Sequence, residues 1–309
     1  MRPTPTYLHR LLPEGPPRWG SRALVAFLAL AGALALFAAP RAGTSRAAAH
    51  RCPDVMFIGA RGSGERLSKA NHGLGAPLYE MARQLEKDVT NYGEQMGMLG
   101  VVYSADSVGE LIPSVPEAAA YAAATPGGAL ALYYTRHLKP YTASVNDGVK
   151  LTIEAVHAVL SNCPEAELVL AGYSQGAMAV HQAERKLEHA GDEEALDAIG
   201  GTLLLGDGDR TSATDAKLIG GVSRLTAGIR VALHGIARPQ DVEEPETTVE
   251  ICAVNDIVCD FSPSSIVHGL LGAIKVGTEV HTSYLSNPRE KTYLTEAVNW
   301  LANEMGLTG

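Results

Sequence analysis

The stretch ELVLAGYSQGAMAV (167–180) constrains this chain more than any other. An apolar run of strand length ends in Gly172-Tyr173-Ser174-Gln175-Gly176, and a helix-patterned run, GAMAVHQAERKLEHA (176–190), follows at once. A strand that feeds directly into a helix cannot return as a hairpin. Its helix must pack on a sheet face, and the next strand then lies parallel to the first. The same alternation recurs along the chain. Strand candidates are DVMFIGA (54–60), GVVYSA (100–105), GTLLLG (201–206) and TVEICAV (248–254). Their almost unbroken apolar character suits a sheet covered on both faces. Helical patterns occupy 76–89, 144–160 and 288–305, the last with Pro288 at a first helical position. The order predicts a three-layer α/β sandwich over residues 50–309, with no internal repeat or dividing linker.

Residues 212–246 are less regular. Leu218, Val222, Leu225, Ile229 and Leu233 fall at helical spacing ahead of the acidic PQDVEEPE. A helix covering the sheet is expected there, with a flap beside a cleft as the alternative.

G-x-S-x-G placed between a buried strand and a helix is the setting of a nucleophile elbow. A Gly-rich turn holding an idle serine would have the same composition, so Ser174 needs partners elsewhere. A serine hydroxyl attacks only when a base takes its proton, and that base needs an orienting acid. His181 and His189 lie on the helix leaving the elbow and should point away, and His234 sits within the irregular segment. His281, in the loop-like EVHTSY before the last helix, is preferred to His268 in the apolar IVHGLLGAI. For the acid, Asp256 in CAVNDIVC (252–259) is preferred, since a closed Cys252–Cys259 loop would hold a carboxylate in place. Asp207, in GDGD, is read as a solvated turn acid. FIGARGSGE (57–65) lacks the third glycine of a dinucleotide fingerprint and has no G-K-[ST]. It reads instead as an oxyanion loop, with amides and the hydroxyl of Ser63 on one side and the amide of Gln175 on the other.

The first 49 residues differ from the rest. Arg2, Arg10, Arg18 and Arg22 precede the apolar run 23–39, and small residues end at Ala47–Ala49. That pattern is a secretory signal, or, if retained, an N-terminal membrane anchor. Removing 1–49 leaves 19 basic and 33 acidic residues, a net charge of −14. So acidic a chain would be repelled by nucleic acid and by anionic headgroups. The four cysteines, Cys52, Cys163, Cys252 and Cys259, all follow the signal. An even number in an exported chain favours two disulfides: a local one at Cys252–Cys259 and one tying Cys52 to Cys163.

Taken together, CPDVMFIGARGSGE (52–65), NCPEAELVLAGYSQGA (162–177), CAVNDIVC (252–259) and HTSY (281–284) resemble the cutinase family of serine esterases, over nearly all of residues 50–309. The N-terminal arm is similar to that of exported actinobacterial members, so cell-envelope association through residues 23–39 is an alternative to free secretion. The resemblance implies a compact α/β-hydrolase with a five-stranded parallel sheet, with Ser174 as nucleophile, Asp256 as acid and His281 as base. It implies Ser63 and Gln175 as oxyanion residues and the same two disulfides. It further implies a secreted, monomeric enzyme that hydrolyses fatty-acyl esters or lipids, with no metal or organic cofactor and no nucleic-acid partner. The interval from Asp256 to His281 and the segment 206–246 are both longer than in compact fungal members. A phospholipase, thioesterase or acyltransferase could use the same triad. An inactive secreted binding protein on a hydrolase scaffold is the alternative of another class.

Overall fold

Valine, leucine and isoleucine dominate the strands, and their alternate side chains serve opposite faces of one sheet. A computed structural model describes residues 52–111, 113–211, 215–232, 247–261 and 270–308, all within the unit His50–Gly309. The signal or anchor read at 1–49, and with it the run 23–39, lies outside the described residues, as do His234 and His268. The strands are β1 (Val55–Ala60), β2 (Met96–Gly100), β3 (Glu167–Tyr173), β4 (Ile199–Leu205), β5 (Lys217–Ile219) and β6 (Thr248–Ile251). They form one parallel sheet in the order β2-β1-β3-β4-β6-β5. On one face, Val55, Phe57, Val169, Leu203 and Val249 pack against α1 (Ala76–Tyr92) and the last helix (Pro288–Glu304). On the other, Ile58, Leu168, Leu170 and Leu204 meet Val156 and Leu160 of α4 (Lys139–Asn162) and Ala177, Val180 and Leu187 of α5 (Gln175–Ala190). Between β2 and α4 lie two short helices, α2 (Val115–Ala123) and α3 (Pro126–Tyr133). The three-layer α/β architecture expected from the sequence is present.

Three expectations need correction. The sheet has six strands among the described residues, not five; the sixth is the three-residue β5, paired with β6 at the edge. This strand lies where a covering helix is expected. Gly220 and Gly221 follow it with φ of 117° and 83°, and only a four-residue helix, α7 (Ile229–Ala232), forms in the described part of that segment. Two consecutive positive-φ residues cannot belong to a right-handed helix. Finally, β2 is Met96–Gly100 rather than 100–105. The alternation in VVYSA is real, since Val101, Tyr103 and Ala105 are buried while Val102 is exposed. That face packs in the cluster beneath α4 after the chain has left the β-ladder. Side-chain period reports burial, not pairing.

The short α6 (Glu193–Ala198) precedes β4, and the helix before the last, α8 (Leu270–His281), and the last, α9 (Pro288–Glu304), complete the α-helices among the described residues. Both disulfides are formed, Cys52–Cys163 and Cys252–Cys259. None of the described helices is long and apolar enough to cross a membrane.

Candidate active site

Ser174 stands where β3 becomes α5, with φ 56° and ψ −116°. A non-glycine residue in such a conformation costs about 1–3 kcal/mol and persists only where its surroundings impose it. Here the Ser174 amide donates to the Leu205 carbonyl of β4 at 2.8 Å. The two glycines of the motif are steric necessities. A Cβ on Gly172 would lie 2.4 Å from Ala177 Cα, and one on Gly176 would lie 1.9 Å from the Ala60 carbonyl oxygen.

Ser174 Oγ lies 2.8 Å from His281 Nε2, and His281 Nδ1 lies 2.9 Å from each oxygen of Asp256. All three side chains are buried. His281 is the last residue of α8, where the sequence reading places a loop. Gly272 and Gly277, poor helix formers, conceal that helix in the sequence. Asp256 is braced from several sides. Its Oδ1 accepts from the Val258 amide at 2.8 Å, and the Cys252–Cys259 disulfide closes the loop that carries it. Arg210, fully buried, donates Nε–H to the Cys259 carbonyl at 2.8 Å.

Two tyrosines frame the imidazole. The Tyr173 ring stacks on His281 with centroids 5.4 Å apart, and its hydroxyl donates to the His281 carbonyl at 2.7 Å. Tyr284 approaches edge-on and donates its hydroxyl to Asp256 Oδ2 at 2.7 Å. Burial pushes both phenols up, and the Asp256 charge adds to it. Neither tyrosine has an assigned role in the sequence reading. The one available signal is the spacing, since Tyr173 precedes the serine and Tyr284 follows the histidine by three.

The loop of Ser63 is held by its own charged residues. Glu65 accepts from the Gly62 amide at 2.8 Å and from the Ala76 amide at the start of α1 at 2.9 Å. Burial raises the Glu65 carboxyl, although those two amides and Arg61 pull it down. Arg61 is buried, donates to the carbonyls of Tyr103 and Ser104, and lies 5.1 Å over the Tyr103 ring. On the other side, Gln175 opens α5, so its amide is one of the helix donors without an intrahelical acceptor. Gln175 Oε1 accepts from Ser144 Oγ at 3.2 Å, and Ser144 Oγ lies 2.7 Å from Ser104 Oγ. Tyr141, one helical turn before Ser144, lies beside Ser63 and Gln175; burial pushes its phenol up to about 12, and those two side chains pull it the other way.

A second histidine–carboxylate pair lies close by. His181 Nδ1 is 2.6 Å from Asp207 Oδ2. Asp207 is fully buried, which corrects its reading as a solvated turn acid. Burial pushes its carboxyl up, but the charge and hydrogen bond of His181 outweigh that and hold it below the usual carboxylate range. Asp209 is raised instead, first by burial and then by the charge of Asp207. His181, Asp207 and Glu250 offer ligand atoms within 4.8 Å of one another, a spacing open to a metal ion. The charge of Asp207 is met there by protein groups, His181 and Arg185.

A family model described as Cutinase matches residues 51–305. A cutinase of Hypocrea jecorina is 37% identical over 75 residues, which are 22% of this chain and 29% of that protein. The chain thus spans under a third of the length of the first curated relatives it matches. Among solved structures, a cutinase-like protein from Cryptococcus sp. superposes with a TM-score of 0.53 at 20% identity, covering 84% of this chain and 99% of that one. The catalytic core of acetyl xylan esterase from Trichoderma reesei gives 0.52 at 18% identity, covering 82% and 100%. At such identities the structures speak for the fold alone, whereas the family model spans nearly all of the described residues. The chain belongs to the cutinase family.

Proposed function

We propose that this chain is an exported serine esterase that hydrolyses carboxylic esters of fatty-acyl type. The observation that carries the reading is the Ser174–His281–Asp256 array, with its 2.8 Å and 2.9 Å contacts, on a backbone held at positive φ. Ser174 Oγ attacks the ester carbonyl while His281 Nε2 takes its proton. Asp256 fixes the imidazole by Nδ1 and balances the positive charge that forms on it. The carbonyl oxygen becomes an oxyanion facing the amide of Gln175 and the Ser63 loop. The Ser63 hydroxyl and the backbone amide of Gln175 at the start of α5 are the donors this reading gives to the oxyanion. His281 returns the proton to the leaving alcohol, and water then releases the acid by the same steps in reverse order.

The preference for an apolar acyl group is supported by exposed apolar side chains on one edge of the sheet. Leu67, Val108, Leu225 and Val254 are exposed, and they lie in connections leaving β1, β2, β5 and β6 at the carboxyl edge of the sheet, the edge that carries Ser174. Export is supported by the basic and apolar segment 1–49 and by the two disulfides, which persist in oxidising compartments.

A fluorophosphonate probe tests the reading directly. Folded wild-type protein should be labelled, and Ser174→Ala should lose both the label and about 10⁴-fold or more in kcat/KM on a short p-nitrophenyl ester. Labelling that survives the substitution overturns the assignment. A series from acetyl to long acyl chains, run beside thioester and phospholipid substrates, then separates the esterase from a thioesterase or phospholipase.

A further inference from the structure

One hydroxyl in the site has no part in the three-residue mechanism. Tyr284 is 1% exposed, and its ring is wedged edge-on against both His281 and Tyr173. Its oxygen accepts from the Ala253 amide at 2.9 Å and donates to Asp256 Oδ2 at 2.7 Å. The acceptor is already in demand. Asp256 Oδ1 takes the Val258 amide at 2.8 Å, and both oxygens face His281 Nδ1 at 2.9 Å. Without the phenol, Oδ2 would have His281 Nδ1 as its remaining donor contact among the described residues, and the backbone would hold the carboxylate by Oδ1 alone, through the Val258 and Cys259 amides. The Ala253 amide fixes the direction of the phenol, because an oxygen that accepts from the backbone must turn its own proton elsewhere. The segment HTSY thus carries the base at its first position and a second donor to the acid at its fourth.

We infer that Tyr284 is a positioning residue for the Asp256–His281 pair, locking the carboxylate rotamer onto Nδ1 and moderating the pull of that carboxylate on the imidazolium. The inference rests on the serine-esterase reading above. Its chemistry is that of a donor that stays protonated. Burial, and next the Asp256 charge, raise the phenol well above its ordinary value, so it remains a donor across the working pH range. A donor to a carboxylate withdraws charge from it, and a carboxylate with less charge holds a neighbouring imidazolium less strongly. The titratable groups facing His281 are Asp256, Tyr173 and Tyr284, with Glu65 and Glu290 acting further out through Tyr173.

The test is the pH profile of kcat/KM, measured on the full exported chain with a p-nitrophenyl ester. Tyr284→Phe should lower kcat about tenfold with KM little changed, the size of one lost charge-assisted hydrogen bond. Its acid limb should move to higher pH by about half a unit, because the relieved carboxylate grips the imidazolium more tightly. Incorporating 3-fluorotyrosine at position 284 keeps the shape and strengthens the donor, so it should move the acid limb the opposite way; this variant decides the matter if the phenylalanine variant does not fold. Tyr173→Phe removes the neighbouring buried hydroxyl, which binds a main-chain carbonyl and not Asp256, and should leave the acid limb in place. A lowered Tm with an unmoved acid limb in the 284 variants makes Tyr284 a packing residue and overturns the inference. Failure of the triad itself has a different signature, namely wild-type hydrolysis that survives Ser174→Ala.

Discussion

Among the described residues, two buried imidazole–carboxylate pairs sit at the carboxyl end of this sheet, and one of them reaches a serine. His281 and Asp256 meet at 2.9 Å, and the far nitrogen of His281 reaches Ser174 at 2.8 Å. His181 and Asp207 meet at 2.6 Å, but His181 lies two turns into α5, facing β4 and β6, where its neighbours are the carboxyl groups of Asp207 and Glu250. A short, buried His–Asp contact is therefore no mark of catalysis by itself. What separates the pairs is the third group. The second pair is embedded in a lattice of charge: Asp209 takes Arg230 at 2.6 Å and Gln182 at 2.6 Å, and Thr202 donates to Glu184 at 2.6 Å. The first is framed by two aromatic rings and opens onto a serine held on a turn. One arrangement stores stability, and the other spends some of it on backbone geometry.

Exchanging each acid for its amide should separate the two most sharply. Asp256→Asn should cost about 10⁴-fold in kcat, as loss of the orienting carboxylate does in other triads, with a small change in Tm. Esterase assays and thermal melts on the same preparation would check it, and retention of more than a tenth of the activity would break the comparison. Asp207→Asn should do the reverse. Breaking a buried ion pair from one side costs about 3–5 kcal/mol, while kcat should stay within about threefold. The sign with pH follows from the lowered Asp207 carboxyl. Its contribution is fully present above the unfolded value of about 3.9 and is lost as pH falls through the folded value. The gap between denaturant melts of wild type and variant should thus narrow as pH falls below that unfolded value, and a gap that stays constant there would count against the ion pair. The smallest effect belongs to the oxyanion side. Ser144→Ala leaves Gln175 Oε1 without its donor, and kcat should fall about tenfold at constant KM, the worth of one buried hydrogen bond. A changed KM with constant kcat would place Ser144 in substrate binding instead.

Much of this site was legible in the sequence because steric demands are local. Ser174, Gly172 and Gly176 fall within five residues, and each glycine is required by atoms a few residues away or on the adjoining strand. Asp256 could be ranked first because two cysteines flank it at short range, and the disulfide they imply is present. The place of His281 before the last helix is readable in the sequence, whereas the helix that ends on it is hidden by its glycines. Asp207 was misread for the opposite reason. Nothing in GDGD reveals whether a turn faces water or an imidazole on a helix 26 residues earlier in the chain.

The sequence by itself determined the alternation of strand and helix, the parallel sheet that follows from it, the elbow at Ser174 and the pairing of four cysteines. Side-chain period and the short Cys252–Cys259 loop act between near neighbours in the chain, and the long Cys52–Cys163 pairing, 111 residues apart, follows because those two cysteines are left over. Only the tertiary structure decided which edge gains β5, where β2 ends, and which of two His–Asp pairs meets the serine. It alone brought Tyr284 to Asp256, 28 residues apart, and Ser144 to Gln175, 31 apart. Those contacts join elements that meet only after the sheet has formed, and a hydrogen bond a few ångströms long leaves no periodic trace in the chain.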